Sequence, residues 1–180
     1  MKVLVVVDMQ KDFVDGALGT PEAVAIVPNV VNKVAQYALM EDAVIIYTRD
    51  THYEDYMESR EGRFLPVPHC IFGTDGWEIV PEVVNTEAAI AVLDKRTFGK
   101  YDIADDITNI VGETTGKVDI ESIELCGLCT DICVVSNALI LKANFPETAI
   151  LVDSKCCAGV TPAKHEAALE VMRSCQITVG

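Results

Sequence analysis

The sequence has no uninterrupted apolar run of the ~18 residues that a membrane-spanning helix needs, although half of its residues are apolar. It is also poor in positive charge, with 14 Lys and Arg residues against 28 Asp and Glu residues and a formal net charge of -14. Nucleic acids and anionic membranes would not be attracted to such a chain, so neither is expected as a partner. No small-residue cleavage site follows the first apolar run, so no signal peptide is predicted.

The sequence also lacks an even number of cysteines, which excludes a complete set of disulfides within the chain. The seven cysteines lie largely in apolar runs, as reduced core thiols do. We therefore expect a cytoplasmic protein with free thiols. The 180 residues contain no internal repeat, linker or low-complexity segment, which predicts a single domain over 1–180.

Short apolar runs alternate with segments of helical periodicity along the chain. The predicted strands cover 3–7, 43–48, 89–93, 122–125, 148–152 and 176–179, and the predicted helices cover 28–40, 103–111, 131–143 and 162–174. Segment 9–21 is predicted to be a loop. Continuous rather than alternating apolarity is typical of strands buried on both faces of a parallel sheet. The pattern predicts a three-layer α/β/α fold with a mostly parallel, Rossmann-like sheet of roughly six strands.

Charged and nucleophilic residues follow several of the predicted strands. They are Asp8, Arg49, Asp50, Asp94, Lys95, the cysteine-rich segment 126–133 and Asp153. Ligands bind at the carboxyl ends of parallel strands, so we expect these residues to converge on one edge of the sheet. Asp8 is interpreted as a general base or as a carboxylate that caps the next loop, and Lys95 as a functional cation or a solvated lysine.

The segment 126–133 has the sequence Cys-Gly-Leu-Cys-Thr-Asp-Ile-Cys and joins a predicted strand to a predicted helix. Cys133 is placed near the first helical turn, where the helix dipole lowers the pKa of a thiol, and it is a candidate nucleophile. Two alternatives remain open. Cys126 and Cys129 form a C-x-x-C pair that suits redox chemistry or half a zinc site, and any of the three could be a small core thiol.

A second cluster of polar residues lies in the long irregular segment 49–77. Asp50 and His52 are two residues apart at a strand end, which sends their side chains to the same side, and His69 follows Pro68. Together with Glu61 or Glu58, these residues suit a Zn, Mn or Fe site with positions open to water. The alternative is a solvated acidic loop with ordinary histidines.

The segments 6–13 and 126–133, together with Lys95, resemble the isochorismatase-like cysteine hydrolases. The segment from Asp50 to Cys70 resembles the nicotinamidase branch in particular, and the likeness covers 2–179. The resemblance implies a catalytic triad of Asp8, Lys95 and Cys133. It also implies a cis peptide between Leu128 and Cys129, and an oxyanion hole formed by the backbone N–H groups of Cys129 and Cys133.

The resemblance further implies metal-assisted hydrolysis of a small, nicotinamide-type carboxamide to an acid and ammonia through a cysteine thioester. The implied cofactor is a divalent metal, zinc or alternatively iron or manganese, that holds the pyridine nitrogen of the substrate. Its implied ligands are Asp50, His52, His69 and Glu61, with Glu58 as the alternative carboxylate. The implied substrate pocket is walled by Phe13, Leu65, Phe98 and Tyr101. By analogy, the protein is expected to form a homodimer or homotetramer.

Two other functions remain open. One is the hydrolysis of a different small amide, a carbamoyl compound or an ether such as isochorismate. The other is a non-catalytic metal- or ligand-binding domain with structural cysteines.

Overall fold

A single six-stranded parallel sheet forms the centre of the protein. The computed structural model describes residues 1–85 and 88–180. The strands are β1 (Lys2–Val7), β2 (Ala43–Asp50), β3 (Ala89–Lys95), β4 (Ser122–Leu128), β5 (Ala149–Ala158) and β6 (Thr178–Val179). Their order in the sheet is β3-β2-β1-β4-β5-β6, and all recorded pairings are parallel. The predicted α/β fold with a parallel sheet is confirmed.

The centre of the sheet is β1, which pairs with β2 on one side and β4 on the other. Its residues from Val3 to Val7 have no exposed surface. Because neighbours cover the strand on both sides and on both faces, every position can be apolar, which explains its unbroken Val and Leu run.

Helices cover both faces of this sheet. They are α1 (Lys11–Val14), α2 (Pro21–Ala38), α3 (Arg60–Phe64), α4 (Ile103–Thr115), α5 (Val135–Asn144) and α6 (Pro162–Ser174). Helix α2 packs across β1, β2, β4 and β5. The general rule that crossovers between parallel strands are right-handed places α4, α5 and α6 on the opposite face. Helix α5 contacts both of the other two. Within the described residues, no helix is both long and apolar enough to cross a membrane.

Helix α2 begins at Pro21, a full two turns before the predicted start at Pro28. The Thr20 hydroxyl accepts a hydrogen bond from the N–H of Ala23 at 3.0 Å, and Pro21 occupies the first turn, where a missing N–H costs nothing. Pro28 therefore lies inside the helix. Its absent N–H would have bonded to the carbonyl of Val24, a residue that is 49% exposed, so water can satisfy that carbonyl.

Two other predicted boundaries differ from the structure. The predicted loop over 9–21 contains the short helix α1. The predicted helix over 131–143 is divided into a π-helical turn, Thr130–Val134, followed by α5. Single π-helical turns at the start of a helix often accompany functional sites, and this one carries the candidate nucleophile Cys133.

Strand β5 continues to Ala158, six residues beyond its predicted end at 152. Its register with β4 shifts between Leu125 and Gly127, and the strand continues beyond the polar residues that begin at Asp153. Asp153 consequently lies inside the strand rather than at the carboxyl edge, so its predicted place in the converging cluster is wrong. It forms an ion pair with Lys33 of α2 at 2.9 Å.

Lys33 holds a compact charged cluster beneath α2. Its Nζ also lies 2.7 Å from Glu124, and the hydroxyl of Tyr37 donates to the same carboxylate at 2.6 Å. The side chains of Lys33, Glu124 and Asp153 are at most one-fifth exposed. Although burial lowers the pKa of Lys33, the two carboxylates raise it by more, so the lysine remains protonated.

We expect Lys33→Met to destabilise the fold by about 2–3 kcal/mol, because it leaves two carboxylates facing each other with no cation. Urea unfolding should show this as a lower midpoint with an unchanged slope. The control is Lys117→Met, which removes a surface pair with Asp119 and should cost less than about 1 kcal/mol. Equal midpoint shifts in the two variants would contradict the assigned role of Lys33.

Candidate active site

The structure brings Asp8, Lys95 and Cys133 together at the carboxyl edge of the sheet. Asp8 follows β1, Lys95 ends β3, and Cys133 lies in the turn after β4. The Nζ of Lys95 is 2.6 Å from Oδ2 of Asp8 and 3.4 Å from Sγ of Cys133. All three residues are almost completely buried. A carboxylate, an ammonium and a thiol therefore form one buried cluster.

Asp8 is held in an uncommon backbone conformation. Its φ is +46°, in the left-handed region that residues other than glycine rarely adopt. Thr48 secures it from β2, because its hydroxyl donates to Oδ1 of Asp8 at 2.6 Å and its carbonyl accepts the Asp8 N–H at 3.2 Å. Such strain persists where the surroundings fix the residue, and it is concentrated at functional sites.

The charges of this cluster depend on burial as much as on pairing. Burial raises the pKa of Asp8, the Lys95 ammonium opposes that rise and Asp50 adds to it, which leaves the pKa above its usual value. Burial alone would lower the pKa of Lys95, but Asp8, Cys133 and Asp50 together hold it well above its usual value. Lys95 therefore stays charged, and Asp8 is a stronger base than an exposed carboxylate.

The thiol of Cys133 does not have the depressed pKa expected from its place near a helix start. Burial raises this pKa, the neighbouring Asp8 carboxylate raises it further, and the opposing effect of Lys95 is smaller. The site encloses two carboxylates with one ammonium, so a third negative charge is unfavourable. The neutral thiol of Cys133 is therefore the favoured form beside Asp8.

The turn that carries Cys133 is clamped against the end of β1. Gly127 has a φ of +116°, and a Cβ there would lie 2.1 Å from the carbonyl oxygen of Val7, so no other residue fits. The next peptide but one, between Leu128 and Cys129, is cis. The N–H groups of Ile132 and Val134 both donate to the Cys129 carbonyl, at 3.0 and 3.1 Å. These contacts fix the turn next to Asp8.

A second cluster contains the four residues Asp50, His52, Glu61 and His69, which each offer one ligand atom within 4.8 Å of the others. The Nε2 of His52 is 3.0 Å from Asp50 and 3.7 Å from Glu61, and the Nε2 of His69 is 3.9 Å from both carboxylates. The cluster includes Glu61 and not the alternative carboxylate, Glu58.

These four residues fit a divalent transition metal. Two imidazole nitrogens and two carboxylate oxygens are the ligands that Zn, Mn and Fe take in proteins. The Nδ1 of His69 lies 2.8 Å from the carbonyl of Val67, so an N–H there donates to that carbonyl and leaves a lone pair on Nε2. A hydrogen bond of this kind orients metal-binding histidines.

Asp50 belongs to both clusters. Its Oδ1 is 3.3 Å from the Nζ of Lys95, while its Oδ2 is 3.0 Å from His52. Burial raises the pKa of Asp50, but His52 and Lys95 lower it by more, so the carboxylate stays ionised. Gln10 holds its backbone, donating to the Asp50 carbonyl at 2.8 Å and accepting the Asp50 N–H at 2.7 Å.

Other buried polar residues were not identified from the sequence. The side chain of Asn137 donates to the Cys133 carbonyl at 2.8 Å and accepts the N–H of Lys100 at 2.9 Å, which joins the turn of Cys133 to the loop after β3. Thr130 contacts His165 of α6 at 2.8 Å. The available signal for Asn137 was a single amide side chain in an otherwise apolar run.

A cavity of about 340 Å³ opens onto both clusters. Cys133 lies at its wall, as do Asp50, Glu61 and His69. The predicted pocket residues Phe13, Leu65 and Phe98 line it as well. The prediction of Tyr101 is wrong, because its side chain is 82% exposed and lies outside the cavity wall.

The C-x-x-C alternative gains no support from the structure. Cys126 is completely buried within β4, where burial and the neighbouring Cys157 and Cys156 raise its pKa well above its usual value. Cys129 lines the cavity instead, and burial raises its pKa to about 12. The two thiols therefore lie in different surroundings, one inside the sheet and one at the cavity wall.

The fold and site define an α/β protein with an Asp–Lys–Cys cluster and an adjacent metal-type cluster at the carboxyl edge of a parallel sheet. The chain belongs to the isochorismatase family, since the isochorismatase domain matches residues 2–180. This confirms the family resemblance of the sequence motifs.

Similar proteins are known for both sequence and structure. A nicotinamidase/pyrazinamidase of Mycobacterium tuberculosis is 28% identical over 192 residues, which cover 98% of this chain and 97% of that protein. The structure of a Pyrococcus horikoshii pyrazinamidase in complex with zinc is 30% identical, with a TM-score of 0.81 and coverage of 99% and 98%. An N-carbamoylsarcosine amidase from Thermoplasma acidophilum is 27% identical, with a TM-score of 0.75 and coverage of 99% and 94%.

Proposed function

We propose that the protein hydrolyses a small carboxamide to its acid and ammonia, with Cys133 as the nucleophile. The observation that carries this proposal is the contact of Lys95 with both Asp8 and Cys133, of which Cys133 lies at the wall of a cavity. The similar proteins support an amide as the substrate, because their names are nicotinamidase, pyrazinamidase and N-carbamoylsarcosine amidase.

In the first step, the Cys133 sulfur attacks the carbonyl carbon of the amide while Asp8 accepts the thiol proton. A C–S bond forms, and the carbonyl π electrons move to the oxygen. The Lys95 ammonium, 3.4 Å from the sulfur, offsets the negative charge that develops as the proton leaves. The backbone N–H groups of Cys129 and Cys133 are proposed to hold the oxyanion, an interaction worth about 3–4 kcal/mol per donor.

In the second step, the tetrahedral intermediate collapses. Asp8 returns its proton to the amide nitrogen, the C–N bond breaks and ammonia departs. The acyl group remains bound to Cys133 as a thioester. Asp8, again a carboxylate, then removes a proton from water as the water oxygen attacks the thioester. The C–S bond breaks, the acid is released, and Asp8 gives the proton taken from water to the leaving sulfur, which restores the thiol and the carboxylate.

The residues Asp50, His52, Glu61 and His69 would hold a divalent metal at the cavity wall. A metal bound there supplies a Lewis-acid contact for an acceptor atom of the substrate, such as a ring nitrogen. The chain's own part is to orient these ligands: Gln10 fixes the backbone of Asp50, and the Val67 carbonyl fixes the ring of His69.

The direct test is ammonia release from nicotinamide, pyrazinamide and N-carbamoylsarcosine by the purified, metal-loaded protein. We expect release from at least one of them at a rate proportional to enzyme concentration. If neither these compounds nor a wider panel of small primary amides yields ammonia, amide hydrolysis is not the function.

We expect His52→Ala to weaken zinc binding by at least about tenfold, because it removes one of four ligands. Glu61→Gln should have a smaller effect in the same direction. Glu58→Gln is the matched control, since Glu58 lies outside the cluster, and it should bind zinc as the wild type does. Metal content after dialysis against a competing chelator measures this directly. Equal zinc contents in all four proteins would exclude the site.

A further inference from the structure

The cavity has an uneven chemical lining. Its walls are mainly apolar, with Phe13, Phe64, Phe98 and Ile132 among them. Among the described residues that line it, the one lysine or arginine is Lys164. It lies in the first turn of α6, shortly after Gly159 and Val160, which also line the cavity. A positive charge therefore stands at the wall, on an element different from those that carry the two clusters.

Lys164 is an exposed residue whose side chain lines the cavity, and it has no acidic partner among the described residues. Lys33, Lys95 and Lys100 each pair with two carboxylates. Over residues 1–85 and 88–180, no ion pair involves the ammonium of Lys164, although the chain contains 28 acidic residues. A lysine that faces a ligand cavity with no protein carboxylate beside it is available to a negatively charged group of the ligand.

The two carboxylates on the same wall have basic side chains of their own as neighbours. Asp50 lies against Lys95 and His52, and Glu61 lies within 3.9 Å of both histidines of the metal-type cluster. Among the lysines and arginines of the described lining residues, Lys164 is thus the one that a carboxylate of a ligand can meet, and no ion pair occupies its ammonium.

We propose that Lys164 binds a carboxylate of the substrate, and that the preferred substrate is a small amide with an anionic group at the end opposite to the scissile carboxamide. This inference rests on the proposed function, because it places the carboxamide at Cys133. A cavity of about 340 Å³ is at the small end of ligand sites, which suits a compact molecule. The charged end then selects the substrate, while Asp8, Lys95 and Cys133 perform the chemistry.

A matched pair of amides tests this selection. Succinamate carries a carboxylate opposite its carboxamide, and its methyl ester has the same scissile group without the charge. We expect wild-type kcat/KM to favour succinamate over the ester by roughly tenfold or more, the range of one charge-assisted hydrogen bond. In Lys164→Met and Lys164→Gln this ratio should fall towards one, and Lys164→Arg should retain most of it.

Lys155→Met is the control, because Lys155 is an exposed lysine of β5 that does not line this cavity. Its ratio should equal that of the wild type. If the wild type shows no preference for succinamate, or if Lys164→Met keeps the wild-type preference, the inference is overturned while amide hydrolysis stands.

A binding measurement separates this inference from the proposed function. Succinate should slow the alkylation of Cys133 by iodoacetamide in the wild type, and should do so at least several-fold less in Lys164→Met. If no amide is hydrolysed but this difference is found, the anion site stands and the proposed reaction fails. Equal protection in both proteins overturns the anion site.

Discussion

Cys133→Ala is expected to reduce kcat for amide hydrolysis by roughly 10⁴-fold or more, since removal of a nucleophile leaves only binding and oxyanion stabilisation. The residue is almost completely buried, its sulfur is 3.4 Å from Lys95, and it lies at the cavity wall. Ammonia release under saturating substrate measures the effect. Zinc content should stay at the wild-type level, because Cys133 is not part of the metal-type cluster.

Two other cysteines serve as comparisons. Cys175→Ala should have wild-type activity, because Cys175 is exposed on the surface. Cys129→Ala should lose far less activity than Cys133→Ala, since the proposed role of Cys129 depends on its backbone N–H. If Cys129→Ala were the inactive variant and Cys133→Ala the active one, the assignment of the nucleophile would be reversed.

The raised pKa of Cys133 makes the pH dependence of its alkylation informative. Burial and Asp8 favour the neutral thiol, so the rate of alkylation by iodoacetamide should keep rising with pH beyond the ~8.5 of a free thiol. Cys175, which is exposed, provides the internal reference in the same digest. A plateau of the Cys133 rate below neutral pH would show that the helix start and Lys95 outweigh burial.

The sequence predicts the fold well where one kind of residue dominates. Each of the six predicted strands overlaps a strand of the parallel sheet. Strand β1 can be apolar throughout because it is covered on both faces. The boundaries were less predictable. Pro28 was interpreted as a helix start, but Thr20 and Pro21 form a stronger one earlier in the chain. The end of β5 depends on a register shift against β4, which composition does not encode.

The residues of the candidate site also divide into those that the sequence predicts and those that it does not. Asp8, Lys95 and Cys133 could be placed together because each lies at the end of a strand, and the parallel sheet puts those ends on one edge. The supporting residues could not be predicted from the sequence, since their roles depend on partners far along the chain. Gln10 binds the backbone of residue 50, and Asn137 joins the turn of Cys133 to the loop after β3. The prediction that Tyr101 lines the pocket was wrong, because proximity to Phe98 in sequence does not determine which way a loop side chain faces.

Lys95→Met should reduce both activity and stability. The substitution leaves Asp8 and Asp50, both buried, without their shared cation, and removal of one partner of a buried ion pair costs about 3–5 kcal/mol. We expect the free energy of unfolding to fall by an amount of this order, and kcat to fall by at least roughly 10³-fold because the thiolate loses its counterion. Denaturant unfolding and ammonia release measure the two effects independently.

The double variant Asp8→Asn/Lys95→Met separates the two effects. Asn removes the stranded charge next to the missing lysine, so the double variant should be at least about 1 kcal/mol more stable than the sum of the two single changes predicts. Activity should remain lost, because the double variant has neither the base nor the cation. Lys95→Met should also be less destabilised, relative to wild type, at acid pH, since protonation of Asp8 removes the buried charge in both proteins. Additive stability changes with no dependence on pH would show that the contact of Lys95 with Asp8 contributes nothing to the fold, and the loss of activity would then need a different cause.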